Sequence, residues 1–406
     1  MPYDSGPYDV APNDPVRSSA EVLDTGGGWG WSRAQRRAVL VLVLLALLTS
    51  AVLVLRDRDV PTSTPDPSPT APPSPPATPR SSSTDPSAGK PVVLRRSGAV
   101  PAGLGQGTLF ARSADTVFRV DLATGRVTAT SAPVPTRFRV SFVPVPTGVV
   151  VRPVDASPGL MVPDDGAARP LRRLLGSAAQ VLPATGGRLW VTELLDGRSS
   201  RLVLTTSDGT PTGTSIRENG YFLPDGSGGL LLVDSGGVYE RVRSSWRRLA
   251  VGTALATGPN HYLLATCSGD VFCESVSLVR YDRERRQQQP VLADSDPQLP
   301  TGGMLSSDGR YLASLTTDDP DAAGNGRALV LELDTARVVK QMVVPTAAPG
   351  VTAVAVWSPD GRRLVGLDEG QLFVLDPATG STIRPDLGLP TGTQLVQVAL
   401  RAAPPR

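Results

Sequence analysis

The chain has 406 residues, with 41 glycines, 40 prolines and aromatic residues at only 5%, a composition suited to many short strands and turns. Its 40 Lys and Arg nearly balance 38 Asp and Glu, for a formal net charge of +2. That balance, with no recognition helix or stacking platform in the sequence, argues against nucleic acid as a partner. A single histidine and two cysteines exclude multi-histidine metal centres.

Residues 1–37 are polar and rich in Gly, Pro, Asp and Ser, and are expected to form a disordered tail. Tyr3 and Tyr8 stand there in a repeated Pro-Tyr-Asp context. Residues 38–55 then read as an uninterrupted apolar run without a charge or a helix breaker. As a helix it would cover about 27 Å, close to the hydrocarbon core of a bilayer. The run is expected to be a transmembrane signal anchor. A buried core helix fits poorly, because no polar stripe faces water. A cleaved signal peptide fits poorly as well. Thr49, Ser50 and Ala51 are small, but Val52 to Leu55 carry the apolar run beyond them. Arg17, Arg33, Arg36 and Arg37 precede the run, whereas Arg56 and Arg58 follow it interleaved with Asp57 and Asp59. This bias predicts a cytoplasmic N-terminus, a single pass through the cell membrane and an extracytoplasmic C-terminal domain. Residues 56–96, dominated by Pro, Ser, Thr and Ala, are expected to be a semi-extended linker. Its Ser and Thr residues are candidates for O-glycosylation in an exported chain.

From about residue 97 to 402 the pattern becomes short apolar runs bounded by Asp-Gly, Thr-Gly or Gly-Gly, with no long helical period. Strands ending in Asp and followed by a turn recur at Asp121, Asp282, Asp334 and Asp376. The segments Asp121-Leu-Ala-Thr-Gly125 and Asp376-Pro-Ala-Thr-Gly380 are near copies. A repeat of some 40 to 50 residues, each able to form four strands, predicts an all-β protein, a β-propeller. Seven four-stranded blades fit the spacing, with six or eight as alternatives. The last run, Gln394 to Arg401, has no blade of its own and is expected to pair with the first blade and close the ring.

Ser358-Pro-Asp-Gly-Arg-Arg-Leu and Ser306-Ser-Asp-Gly-Arg-Tyr-Leu resemble the S-P-D-G-[KR]-x-[IL] hairpin of WD40-like and TolB-like bacterial propellers. Asp376-Pro-Ala-Thr-Gly380 resembles the D-x-x-T-G turn of such blades. The resemblance spans residues 100 to 402 approximately. It implies a fold and not an activity, because these turns serve many unrelated proteins. The G-H…W-D signature of strict WD40 repeats is absent.

Few residues suggest chemistry. Cys267 and Cys273, the only cysteines, flank a short turn between two apparent strands. A hairpin sets such residues across from each other, and an oxidising compartment favours a disulfide. His261, the only histidine, opens a strand, and no Gly-x-Ser-x-Gly elbow accompanies it. Asp318 to Gly326 is an acidic loop lacking the bidentate Glu of a calcium loop. Gly103-Leu-Gly-Gln-Gly107 has no helix after it to make a nucleotide fingerprint. Thr206-Ser-Asp-Gly-Thr-Pro is similar to a sialidase Asp-box without its closing Trp.

No catalytic, cofactor-binding or metal-binding residues are assigned, and no cofactor is expected. The expectation is therefore a chain that is not an enzyme. It would be a propeller held at the membrane by residues 38–55, acting as a non-catalytic binding or scaffold module for an envelope protein or glycan. The alternative is a hydrolase or lyase acting on envelope sugars or lactones, with carboxylates and Arg in the central funnel. A funnel of Ser, Thr and aliphatic residues favours binding; converging acidic and Arg side chains favour turnover.

Overall fold

The computed structural model describes residues 89–134, 140–153, 159–171, 180–194, 199–268, 275–291, 302–315, 325–345 and 351–403. The expected membrane span at 38–55 lies outside them. No helix among the described residues is long and apolar enough to cross a membrane.

The first sheet opens with β1 (Val92–Arg95), β2 (Gly107–Arg112), β3 (Thr116–Asp121) and β4 (Val127–Ser131). The second is the meander β5 (Val140–Val145), β6 (Gly148–Pro153), β7 (Leu160–Pro163) and β8 (Arg169–Pro170). The third is β9 (Gln180–Pro183), β10 (Leu189–Leu194), β11 (Ser199–Thr205) and β12 (Pro211–Asn219). The fourth is β13 (Tyr221–Pro224), β14 (Leu230–Asp234), β15 (Gly237–Val242) and β16 (Ser245–Ala250).

Two further meanders share one eight-stranded sheet. One is β17 (Gly252–Thr257), β18 (His261–Ser268), β19 (Ser275–Asp282) and β20 (Gln287–Pro290). The other is β21 (Gly303–Leu305), β22 (Tyr311–Leu315), β23 (Asn325–Glu332) and β24 (Arg337–Pro345). They join where β17 and β21 pair in parallel, Ala256 with Gly303 and Thr257 with Met304. The last meander is β25 (Ala355–Trp357), β26 (Leu364–Asp368), β27 (Gln371–Asp376) and β28 (Ser381–Ile383). The chain ends in β29 (Gln397–Ala402), which lies antiparallel to β2, with Phe110 opposite Ala399.

The arrangement is a β-propeller. The C-terminal strand supplies the innermost position of the first sheet, as the sequence predicts. β1, inside the stretch read as linker, adds a fifth strand at the outer edge of that sheet, beside β4.

Successive strand residues point to opposite faces, and here both faces are buried. On β2, Leu109 and Ala111 pack toward the last meander, with Val365 and Val374. Phe110, between them, packs toward the second, with Val149 and Val151. The core is thus a series of apolar layers between neighbouring sheets rather than one central mass.

The Asp-Gly hairpins share one hydrogen-bond pattern. Ser306 Oγ donates to Asp308 Oδ1 at 2.6 Å, and the same oxygen accepts the Arg310 amide at 3.0 Å. Ser358 and Asp360 repeat this at 2.6 Å, with the Arg362 amide at 3.1 Å. Thr206, Asp208 and Thr210 build the same turn. Gly309 and Gly361 sit at φ of 69° and 70°, where a side chain is strained. In the paired D-x-x-T-G turns, Asp121 accepts the Ala123 amide at 2.8 Å and Asp376 the Ala378 amide at 3.1 Å.

Candidate ligand channel

The first strand of each meander, together with β29, lines a common central cavity of about 840 Å³. The cavity is lopsided. The parallel pairing of β17 with β21 brings those inner strands together, and a Cβ on Gly303 would lie 3.0 Å from the Ala256 side chain. The eight-stranded sheet therefore contributes only Thr257, Met304 and Leu305 among the described lining residues. The open wall belongs to β5, β9, β13, β25 and β29.

Aliphatic residues and prolines make much of that wall, and Phe142, Tyr221, Phe222 and Trp357 add aromatic surface. The Trp357 indole Nε1 donates to the Met304 carbonyl at 3.3 Å. The Tyr221 hydroxyl meets Thr253 Oγ1 at 2.9 Å. The polar lining is neutral: Ser141, Gln180, Thr192, Ser227, Thr257, Thr352 and Gln397. No Asp, Glu, Lys or Arg is found among the described lining residues. An ionised ligand there would lose water without gaining a counter-charge from the wall.

Gln397 is fixed from behind. Its Oε1 accepts Arg112 Nε at 2.7 Å, and its Nε2 donates to the Val140 carbonyl at 2.6 Å. Arg112 is fully buried, and desolvation lowers its pKa to about 10.

Charge begins behind the rim, at Ser227. Asp225 accepts the Ser227 and Gly229 amides, each at 2.7 Å, and the Ser227 hydroxyl at 2.8 Å. Arg283 reaches Asp225 at 2.8 Å, Glu240 at 3.1 Å and the Pro259 carbonyl at 2.8 Å. Glu240 also accepts the Tyr262 hydroxyl at 2.9 Å and pairs with Arg247. Burial pushes the Tyr262 hydroxyl far above its ordinary value. Both carboxylates are held by arginines, so the group staples the fourth sheet to the fifth meander and fixes the rim.

Of the residues singled out in the sequence, His261 opens β18, with Nδ1 3.3 Å from the Ser307 carbonyl and Nε2 3.9 Å from Asp282. It lies in a contact between neighbouring meanders, away from the cavity lining. Cys267 falls within β18; Cys273 lies outside the described residues. So do Asp319 and Asp321 of the acidic loop. Gly103 and Gly105 belong to the loop entering β2. The cavity residues Gln180, Thr192, Tyr221, Trp357 and Gln397 carry no motif, and nothing in their spacing marks them.

No known protein family and no curated protein sequence matches this chain. Solved structures do share the arrangement. A proposed 6-phosphogluconolactonase from Bacteroides uniformis matches at 13% identity, over 73% of this chain and 99% of that one, with a TM-score of 0.43. The acylaminoacyl peptidase of Pyrococcus horikoshii matches at 10% identity, over 67% and 47%, with a TM-score of 0.42. The dihydro-heme d1 dehydrogenase NirN matches at 13% identity, over 76% and 79%, with a TM-score of 0.40. Likeness at this level concerns the fold alone.

These names nonetheless correct one expectation. A chain without a recognisable catalytic motif was expected not to be an enzyme, yet propellers named as a lactonase, a peptidase and a dehydrogenase stand among the matches. The physical reason is that a propeller assembles its site from separate blades. Missing local motifs therefore do not exclude catalysis in this fold.

Proposed function

We propose that this propeller recognises a neutral, sugar-derived ligand, a glycan or lactone, in its central channel. We read the ring as seven blades: the described residues form six sheets, and the eight-stranded one comprises two meanders. The observation that carries the ligand class is the lining, in which aromatic faces and neutral Ser, Thr and Gln side chains occur without a charged group among the described residues. Aromatic rings offer flat apolar surface to the C–H face of a sugar ring, and hydroxyls and amides serve its hydroxyls. We further propose that residues 38–55 hold the propeller at the membrane, that it faces the extracytoplasmic side, and that its ligand belongs to the cell envelope.

Calorimetric titration with neutral and anionic oligosaccharides of equal length tests this reading. The neutral set is expected to bind, and Trp357→Ala is expected to weaken binding about tenfold, the loss of roughly 1.4 kcal/mol of aromatic contact. Preference for the anionic set, or no binding of either, would overturn it.

A second reading, hydrolysis of a sugar lactone, is favoured by one observation. Ser227, on the cavity wall, adjoins the Asp225–Arg283–Glu240 group. Proton release from δ-gluconolactone above the buffer rate would support it, and a rate equal to buffer would remove it.

A further inference from the structure

We propose that Thr192 forms the floor of a side pocket that selects the acetamido group of an N-acetylated sugar. The inference rests on the reading of the channel as a site for a neutral sugar-derived ligand. Thr192 lies on β10, the second strand of its meander, yet it lines the central cavity. The cavity therefore extends outward at this point, past the inner strand β9.

Register gives the direction. Leu182 pairs with Trp190, and Gln180 with Thr192. Leu182 and Trp190 pack against Phe222 in the layer between the third and fourth sheets. Side chains two residues apart share a face, so Gln180 and Thr192 also face the fourth sheet, whose β13 carries Tyr221 and Phe222.

Thr192 is only 6% exposed, and its hydroxyl has no hydrogen-bond partner among the described residues. Buried polar groups are ordinarily satisfied, and valine would fill the same space in an apolar layer without an unmet hydroxyl. Gln180 stands exposed above it with an amide that both donates and accepts.

A ligand group matching these features is small, neutral, both donor and acceptor, and apolar on one side. An acetamido group has all four properties. Its methyl would meet the Phe222 ring, which faces the third sheet, and its amide would meet Thr192 and Gln180. A plain hydroxyl at the same sugar position lacks the methyl and reaches less far into the pocket. A carboxylate would arrive without a cation.

Binding of chitotriose and of cellotriose, which differ by acetamido against hydroxyl, provides the test. The wild-type protein is expected to bind chitotriose about tenfold more tightly. Thr192→Val, which removes the hydroxyl and keeps the shape, is expected to bring the ratio close to one without lowering the unfolding temperature. Thr192→Ser, which keeps the hydroxyl, is expected to retain the preference. If Thr192→Val keeps the wild-type ratio, or if both sugars bind equally to the wild type and both lose affinity in Trp357→Ala, the side pocket is refuted while the channel reading stands. If neither sugar binds the wild type, both fail.

Discussion

Arg112 on β2 and Gln397 on β29 meet at 2.7 Å with both side chains buried, so the first sheet and the last strand of the chain are joined by side chains as well as by the backbone ladder. Gln397 also holds the Val140 carbonyl of β5. One amide thus ties the closing strand to β2 of its own sheet and to β5 of the second. Gln397→Ala removes the acceptor from a buried guanidinium and the donor from a buried carbonyl. A loss of about 2–3 kcal/mol in unfolding free energy is expected, read by urea denaturation. Deleting residues 397–402 would leave β2 without its inner partner, and loss of a cooperative transition is expected. An unchanged urea midpoint in Gln397→Ala would show that the backbone ladder alone closes the ring.

This closure also explains what was legible in the sequence. The turns at Asp121, Asp308, Asp360 and Asp376 bond residues two to five positions away, so their chemistry is written locally. The inner strands read as apolar runs because both faces are buried. The outer strands were harder to see. β20 is Gln-Gln-Gln-Pro with every residue exposed, and β12 is exposed along most of its length, so ladder hydrogen bonds make them strands without an apolar signal. The candidate site was not legible at all. Gln180, Thr192, Tyr221, Trp357 and Gln397 come from four sheets and converge only when the ring closes.

Glu332 is a buried carboxylate at the end of β23. Thr335 Oγ1 donates to it at 2.8 Å, Arg310 pairs with it, and Arg337 reaches it at 3.1 Å. The Thr335 bond and then the Arg310 bond hold its pKa at about 2, below the ordinary value of 4.5. A carboxyl depressed in the folded state adds stability above its unfolded pKa and loses that contribution as pH falls toward the folded value. Thermal unfolding at a series of pH values is expected to show wild-type stability falling between about pH 4.5 and about pH 2. Glu332→Gln should be less stable at pH 7 and fall less steeply through that window. Parallel curves would mean that Glu332 does not titrate there.

Cys267 and Cys273 are proposed to form a disulfide across a hairpin of the fifth meander. Peptide mapping of the protein from untreated cells is expected to give a linked pair that reduction separates. Cys267→Ser is expected to cost about 2 kcal/mol, modest because the closed loop is short. Quantitative thiol labelling of both cysteines before reduction would reject the bridge, and with it the argument for an oxidising compartment.

The membrane assignment rests on residues 38–55 and on the arginines before them, so it is tested on the whole chain. As a helix this run would match the bilayer core, and no charge within it opposes insertion. After alkaline carbonate extraction, the full chain is expected to stay with the membrane fraction, and a chain starting at residue 60 is expected to leave it. A protease added to intact spheroplasts should remove the propeller and spare the first 37 residues. Release of the full chain by carbonate would reject the span. Protection of the propeller in spheroplasts, with degradation only after lysis, would reverse the orientation, place Cys267 and Cys273 in a reducing space, and remove the envelope from the choice of ligand.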